Sequence, residues 1–434
     1  MNSLWQSERL PQFTPLQGDV QTDVLIIGGG MAGILCAYLL GQAGADYLLV
    51  EAQTLCSGIT KNTTAKLTAQ HGLLYKKLLR ILGTEQAKLY LQINQTALRR
   101  YAELCSGIDC DYEKMDSYVY SLDNRQKLQA EVSSLRRLGA DAVFVPDLPL
   151  PMPTVGAVRL AQQAQFHPLK FISAITTGMS IREHTEVREL IGTTAVTAHG
   201  KIHAKRIIVA THFPFINKHG SYFLKLYQHR SYCIALKNAL PLDGMYVDAS
   251  QKGLSFRSYG ELLLLGGGAH RTGKQGGGWS ELRAFAKTHY PNAAEQAHWA
   301  TQDCMTLDGV PYIGRYSATT ADLYVATGFN KWGMSSAMVS AMLLTELLQG
   351  KRSPYAEIFS PSRSILKPQL AVNAAEAVVN LLTPTRRRCP HLGCALKWNK
   401  QEHTWDCPCH GSRFTANGNL IDNPATGDLR TDPS

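Results

Sequence analysis

Near its C-terminal end the chain reads CPHLGCALKWNKQEHTWDCPCHGSRF, which gathers four of its ten cysteines and three of its fourteen histidines. Thiolate sulfur and neutral imidazole nitrogen are metal ligands, so this concentration is chemistry rather than background. Cys389-Pro-His391 opens the stretch and Cys407-Pro-Cys409-His410 closes it, with fifteen residues between His391 and Cys407. Zinc sites draw ligand pairs spaced by about two to four residues, and Cys-x-His is tight for that. Two thiolates with two imidazoles suit a two-iron cluster, one iron taking the cysteines and the other the histidines. Such ligation raises the potential to about −150 to +300 mV, against about −400 mV for all-cysteine ferredoxin types. Cys389, His391, Cys407 and His410 are the expected ligands, with zinc kept as the alternative.

A second chemical device stands near the start, where residues 23–51 read DVLIIGGGMAGILCAYLLGQAGADYLLVE. The apolar run 24–27 predicts a buried strand leading into G-x-G-x-x-G at Gly28, Gly30 and Gly33. Gly28 permits the tight turn, Gly30 lets a pyrophosphate approach the backbone, and Gly33 lets the following helix pack against the strand. That helix offers unpaired N–H groups and the positive end of its dipole to phosphate. Gly44 ends it, and a second strand, YLLV, delivers Glu51, whose carboxylate can accept both hydroxyls of an adenosine ribose. Strand, turn, helix, strand and acid in this order point to a dinucleotide.

The elements that must hold these devices are spread along the chain. KRIIVATHFPF predicts a buried strand ending at Ala210 and Thr211, and DLYVATGFNKWGMSSAMVSAMLLTELLQG predicts a strand, a glycine-bearing turn and an apolar helix. Two insertions separate these pieces: 76–154 has helical periodicity, and 225–304 has strand-like runs such as YCIAL and ELLLLGGG. The expected fold is α/β: a discontinuous Rossmann-like FAD-binding domain at 20–75, 155–224 and 305–362. An α+β substrate domain with an antiparallel sheet takes 76–154 and 225–304, and a small all-β module takes 366–434. With fewer than 70 residues, that module is short for a self-sufficient fold and is expected to lean on the rest.

By these residues the chain to about 362 resembles the glycine/D-amino-acid oxidase superfamily of FAD enzymes, especially its amine-oxidising branch. The resemblance rests on GGGMAG with Glu51, the HP pair of QFHPLKF, EVREL, ATHFP, DGVPYIG and ATGFNKWGM, in that order. It implies that Gly28, Gly30, Ala32, Gly33 and Glu51 hold the ADP half of FAD, and that Val187 meets the adenine through its backbone. It sets Ala210 and Thr211 beside the pyrophosphate. SGITKNTTAKLTAQHG departs from the relatives' wording, although Gly58, Thr60, Thr63 and Thr64 are small enough to pass close to the flavin. Lys66 is then a candidate beside the ring, against a lysine that merely faces solvent. Gly328, Lys331, Trp332, Gly333 and Met334 open a helix whose N-terminus is expected at the flavin's pyrimidine edge. Cys304 stands near where sarcosine oxidases attach flavin covalently, though a buried core thiol is the commoner reading.

The terminal stretch resembles Rieske [2Fe–2S] proteins of the respiratory-complex kind through CPHLGCALKW, TWDCPCHGSRF and NPATGDL. That resemblance implies a disulfide between Cys394 and Cys409, against the usual expectation for the cytosol. Relatives place a base domain of strands before the first cysteine; here 363–388 does not read as strands, so the module is truncated.

Composition sets the bounds. With 434 residues, 44% hydrophobic and 18% charged, the chain reads as a globular protein of two to four domains. Its start shows no secretory pattern, and its most apolar run, seventeen residues with three glycines, is short for a membrane span, so the cytoplasm is expected. The net charge of +10 favours acidic partners, and no nucleic-acid motif appears. Arg386, Arg387 and Arg388 are either a solvated face or a docking patch for an acidic electron carrier. The expected function is oxidation of an amine or amino-acid-like small molecule on FAD, drained singly through the cluster to an external one-electron acceptor. The rivals are a reductase fed through the cluster by a reduced carrier, and a non-catalytic redox sensor. No catalytic base can be named; His71, His270 and Arg271 are possible substrate-side groups, each with a structural reading beside it.

Overall fold

A computed structural model describes residues 3–216, 219–250 and 252–429. The strand Val20–Ile27 is buried on both faces over its second half, as a central parallel strand must be. It sits in an eight-stranded sheet where Leu323–Thr327, Gly200–Val209, Val20–Ile27, Tyr47–Val50 and Ile181–Arg182 run parallel in that order. Tyr312–Arg315 closes one edge antiparallel. The helices Met31–Gln42 and Gly333–Leu348 pack against each other on this sheet. Both are apolar nearly all round, the pattern of helices enclosed in a core. Strands from residues 20, 200 and 323 therefore form one nucleotide-binding layer.

The second sheet has nine strands. Ala294–Thr306, Leu226–Lys237, Leu262–Arg271, Ser255–Tyr259 and Met245–Asp248 follow in order, then Glu113–Tyr120, Ala157–Gln165 and Lys66–Leu67. Pairing is antiparallel except between Met245–Asp248 and Glu113–Tyr120. Ala157–Gln165 and Lys66–Leu67 thus join this sheet, although both lie in segments expected in the nucleotide domain. Strand partners far apart in sequence leave no local mark.

Residues 368–382 form a helix with proline in its first turn, the position where a missing N–H costs nothing. Four strands of three residues follow: Lys397–Asn399, Thr404–Asp406, Arg413–Thr415 and Leu420–Asp422, paired in sequence as an antiparallel sheet. The core of this module is Cys389, Cys394, Cys407 and Cys409 with only Leu396, Phe414 and Ala425. Four of its seven buried residues are cysteines, with Ala377, Trp405, Leu420 and Leu429 packed against them. No helix among the described residues is long and apolar enough to cross a membrane.

Candidate active site and metal centre

The site is built around the turn after the first strand. Gly28 has φ +114°, and a Cβ there would lie 2.6 Å from the carbonyl oxygen of Ala210. A Cβ on Gly33 would collide with the Gly28 carbonyl oxygen, so the helix can lie this close to the strand only at glycine. Gly33→Ala is accordingly expected to lose bound FAD at least tenfold, read as flavin absorbance per chain, because neither backbone can yield without opening the sheet.

Gly30 caps the helix in an extended conformation, and the Thr60 hydroxyl accepts from Met31 N–H at 3.0 Å. Glu51 accepts from Gly29 N–H at 2.7 Å and Gln53 N–H at 2.9 Å, which fixes its carboxylate at the end of its strand. Burial raises that carboxyl above its ordinary range, and the backbone donors oppose the rise.

A cavity of about 1650 Å³ runs on from this turn. Gly28, Gly30, Ala32, Glu51, Val187, Ala210 and Thr211 line it. Gly58, Thr60, Thr63, Thr64 and Lys66 also line it, as do Lys331, Trp332, Gly333 and Met334. Gly33 and Gly328 stand behind the wall, where their absent side chains allow close packing. Asn330 and Lys331 both have positive φ, a strained turn held by the Asn330 side chain, which accepts from Thr306 N–H at 2.8 Å. Sequence reading passed over Asn330, although an asparagine just before a helix start is the available signal. The volume and wall chemistry fit FAD: glycines and a helix end for phosphate, an acid for ribose, and a large cavity continuous with them.

Lys66 faces this cavity, its amine 3.3 Å from the Thr64 hydroxyl. Burial and the Arg257 guanidinium lower it to about 7. Asp303 and Asp248, which sequence reading missed, also line the cavity, and burial raises both carboxyls. His71 lies in the wall, stacked on Trp332 with centroids 5.1 Å apart and bonded to Tyr90 and Ser335. Burial holds it down to about 3, so it is a neutral support for the Trp332 turn. Cys304 turns its thiol to Thr327 in the core behind the cavity.

His270 and Arg271 lie outside the cavity. His270 bonds the Tyr232 hydroxyl at 3.0 Å. Arg271 donates to the carbonyls of Pro408 at 2.9 Å and Cys409 at 3.1 Å, and it lies over the Tyr227 ring. Arg271 thus ties the second sheet to the terminal module, while His270 supports Tyr232, whose hydroxyl donates to Glu402 of that module.

The metal centre is formed by two matching turns. Gly393 N–H donates to the Cys389 carbonyl, and Gly411 N–H donates to the Cys407 carbonyl, each at 2.9 Å. Both glycines have positive φ. The His391 and His410 rings are 5.0 Å apart at 90°. A hydrogen bond between the Cys389 and Cys407 thiols lowers Cys389 to about 7 against the effect of burial, with the N–H groups of His391 and Leu392 also aiding its thiolate. Burial holds His391 at about 4 and His410 at about 3, so both imidazoles are neutral and able to ligate at neutral pH. His410 Nδ1 is buried with no hydrogen-bond partner among the described residues. A thiol pair, two neutral imidazoles and a buried lone pair fit a [2Fe–2S] cluster. The sulfurs of Cys394, Cys407 and Cys409 also lie within 4.8 Å of one another. Two of them, however, form the Cys394–Cys409 disulfide bracing the two turns, which removes them as thiolate ligands.

The two centres share a seam. Gln228 donates to the His410 carbonyl at 2.9 Å, and Gln302 to the Gly411 carbonyl at 2.9 Å. Asn423 donates to the carbonyls of Thr211 at 2.9 Å and Phe213 at 2.7 Å. The Phe213 ring meets both the His391 and His410 rings edge-on at 6.4 Å. Arg230 grips Glu402 with two donors, and Arg413 adds a third at 2.8 Å.

Comparison with known proteins agrees with this geometry. Residues 23–347 match the family model of FAD dependent oxidoreductases (DAO), and 366–433 match the Rieske [2Fe-2S] domain. The chain therefore belongs to the DAO family of FAD-dependent oxidoreductases and carries a Rieske domain at its end, so its cofactors are FAD and a [2Fe–2S] cluster. It is 34% identical to a Bacillus subtilis protein described as a Rieske 2Fe-2S iron-sulfur protein, YhfW, over 98% of this chain and 96% of that one. A cytochrome b6-f complex iron-sulfur subunit from Synechococcus sp. (strain JA-3-3Ab) is 51% identical over 41 residues, 9% of this chain and 24% of that one. In fold, the chain is similar to glycine oxidase from Geobacillus kaustophilus, with TM-score 0.66 and 19% identity over 79% of this chain and 99% of that one. It is also similar to L-amino acid deaminase from Proteus vulgaris, with TM-score 0.65 and 17% identity over 82% and 97%.

Proposed function

We propose that this oxidoreductase removes two electrons from an amine or amino-acid-like substrate in the cytoplasm and releases them singly, through its Rieske module, to an external acceptor. When bound, FAD supplies a two-electron acceptor and the cluster a one-electron carrier. The observation that carries the reading is the segment 211–213. Thr211 lines the cavity, and two residues on, about 7 Å of chain, the Phe213 ring touches both cluster histidines.

The protein's own groups suit such a substrate. Asp248 and Asp303 place carboxylates among the lining groups, where a protonated amine can approach them. Lys66, lowered to about 7, is a neutral amine at slightly alkaline pH and can take the proton that a substrate ammonium must lose before oxidation. The N-terminus of helix Gly333–Leu348 favours negative charge at that end of the cavity. Arg230 is committed to Glu402, so a substrate carboxylate does not find it free. The similarity in fold to glycine oxidase and L-amino acid deaminase supports the same class of donor.

Anaerobic titration of the holoprotein with secondary amines, N-methyl amines and amino acids tests this. The expected result is flavin bleaching accompanied by the EPR signal of a reduced cluster. If every amine leaves the flavin oxidised while reduced ferredoxin bleaches it, electron flow runs the other way.

A further inference from the structure

A helix packed on a protein normally buries its apolar stripe and shows polar residues to water. The helix Pro368–Leu382 does the reverse. Its inward residues are Asn373 and Asn380, 8% and 2% exposed, with Ala377 between them against the module core. Asn373 accepts from Arg271 at 2.9 Å, and Glu376 pairs with Lys274 at 2.8 Å. The outward arc is aliphatic: Val372, Val378, Val379, Leu381 and Leu382 are 46–78% exposed, and Leu366, just before the helix, is 82% exposed. Of thirteen large exposed hydrophobics among the described residues, seven fall between Leu366 and Leu392. Scattered single apolar residues need no explanation; a continuous face does.

Charge beside this face has one sign. From Leu366 to Gln401 the sequence has six basic residues, three of them the exposed run Arg386, Arg387 and Arg388, and one acid, Glu376, already paired. Arg388 donates to the carbonyls of Leu381, Thr383 and Gly393, tying the helix end to the cluster turn. The face therefore continues onto exposed Leu392 beside the metal centre.

Size and composition choose the occupant. A fifteen-residue helix is about 22 Å long and offers a few hundred Å² on one side, short of the ~800 Å² that each partner of a stable protein pair buries. Its outer face has none of the aromatic or methionine residues that protein interfaces concentrate. Aliphatic residues on a helix flanked by arginines are what an interfacial helix needs, apolar side in the acyl boundary and cations among anionic head groups. We propose that the helix Pro368–Leu382 docks the protein flat on an anionic phospholipid surface, with Arg386, Arg387 and Arg388 at the head groups and the cluster turn facing the membrane. This is binding onto a bilayer, not passage through it.

Flotation of the holoprotein with vesicles tests the docking without turnover, so it stands or falls apart from the oxidase reading. Wild type is expected to float with vesicles of phosphatidylcholine plus about one-third phosphatidylglycerol. Binding should fall about tenfold on phosphatidylcholine alone, or at high salt. Val379→Glu with Leu382→Glu alters only exposed positions and should lower binding at least tenfold, leaving the flavin and cluster spectra and the scattering mass unchanged. Four outcomes overturn the proposal: no flotation on either vesicle; equal flotation of the variant; a wild-type dimer that the double variant splits, which makes a second copy the occupant; or vesicle-independent binding of a plant-type ferredoxin that the variant abolishes.

Discussion

Cys407→Ser is expected to purify with its FAD and with almost no iron or acid-labile sulfide. Cys407 is 1% exposed at the head of its turn, and its sulfur is within hydrogen-bonding reach of Cys389. A serine hydroxyl is a poor soft ligand for iron, so the two-thiolate half of the site fails. The loss spreads because the module core has only Leu396, Phe414 and Ala425 besides its cysteines. Without a cluster, the residues after 382 should become sensitive to limited proteolysis while the flavin domain resists. Cys304→Ser, in the other core, should keep full iron and serves as control. Wild-type iron in Cys407→Ser would move the ligand set elsewhere, and this assignment with it.

The second large effect is expected at Glu402. Its carboxylate accepts from Arg230, Arg413, Tyr232 and Asn399, all in the seam between the module and the second sheet. Burial opposes its ionisation, but the two guanidiniums override burial and hold it at about 2. Glu402→Gln leaves Arg230 buried without its anion and Arg413 with Asp406 and Asp422 only, a change that costs about 3–5 kcal/mol when a buried pair is broken. The measurable result is a cluster chromophore lost at a lower temperature than the flavin, where wild type loses both together. Because the folded value lies below the ordinary carboxyl value of 4.5, the stabilisation is complete above that pH and fades as pH falls toward 2. The gap between wild type and Glu402→Gln should therefore close in acid. A variant melting like wild type at neutral pH would remove the seam's claim to hold the module.

How much of this was legible in the chain can be judged residue by residue. Glu51 and the three glycines could be read because their spacing is set by one turn and one strand. Lys66 could only be suspected: its position after Glu51 is local, but its lowered amine depends on Arg257, 191 positions away in sequence. Arg271 sat in a promising GGGAHRTG and proved to bind the Rieske turns, since a motif does not tell which side of a strand meets which partner. Gln228 carried no signal, and Asn423 and Phe213, although they stand in NPATGDL and ATHFP, gave no hint of the seam they would form, because that role comes from what lies across it.

By itself, the sequence pointed to the two cofactors and the family, and suggested a ligand pattern, because each rests on short motifs whose residues lie close together along the backbone even where the motifs are far apart. Folding alone decided that the two centres meet across the segment 211–213, that Arg230 is spent on Glu402, and that the last helix turns its aliphatic side outward. Those are contacts between segments separated by tens to hundreds of residues. Nothing in local periodicity records which of two faces a distant strand will cover.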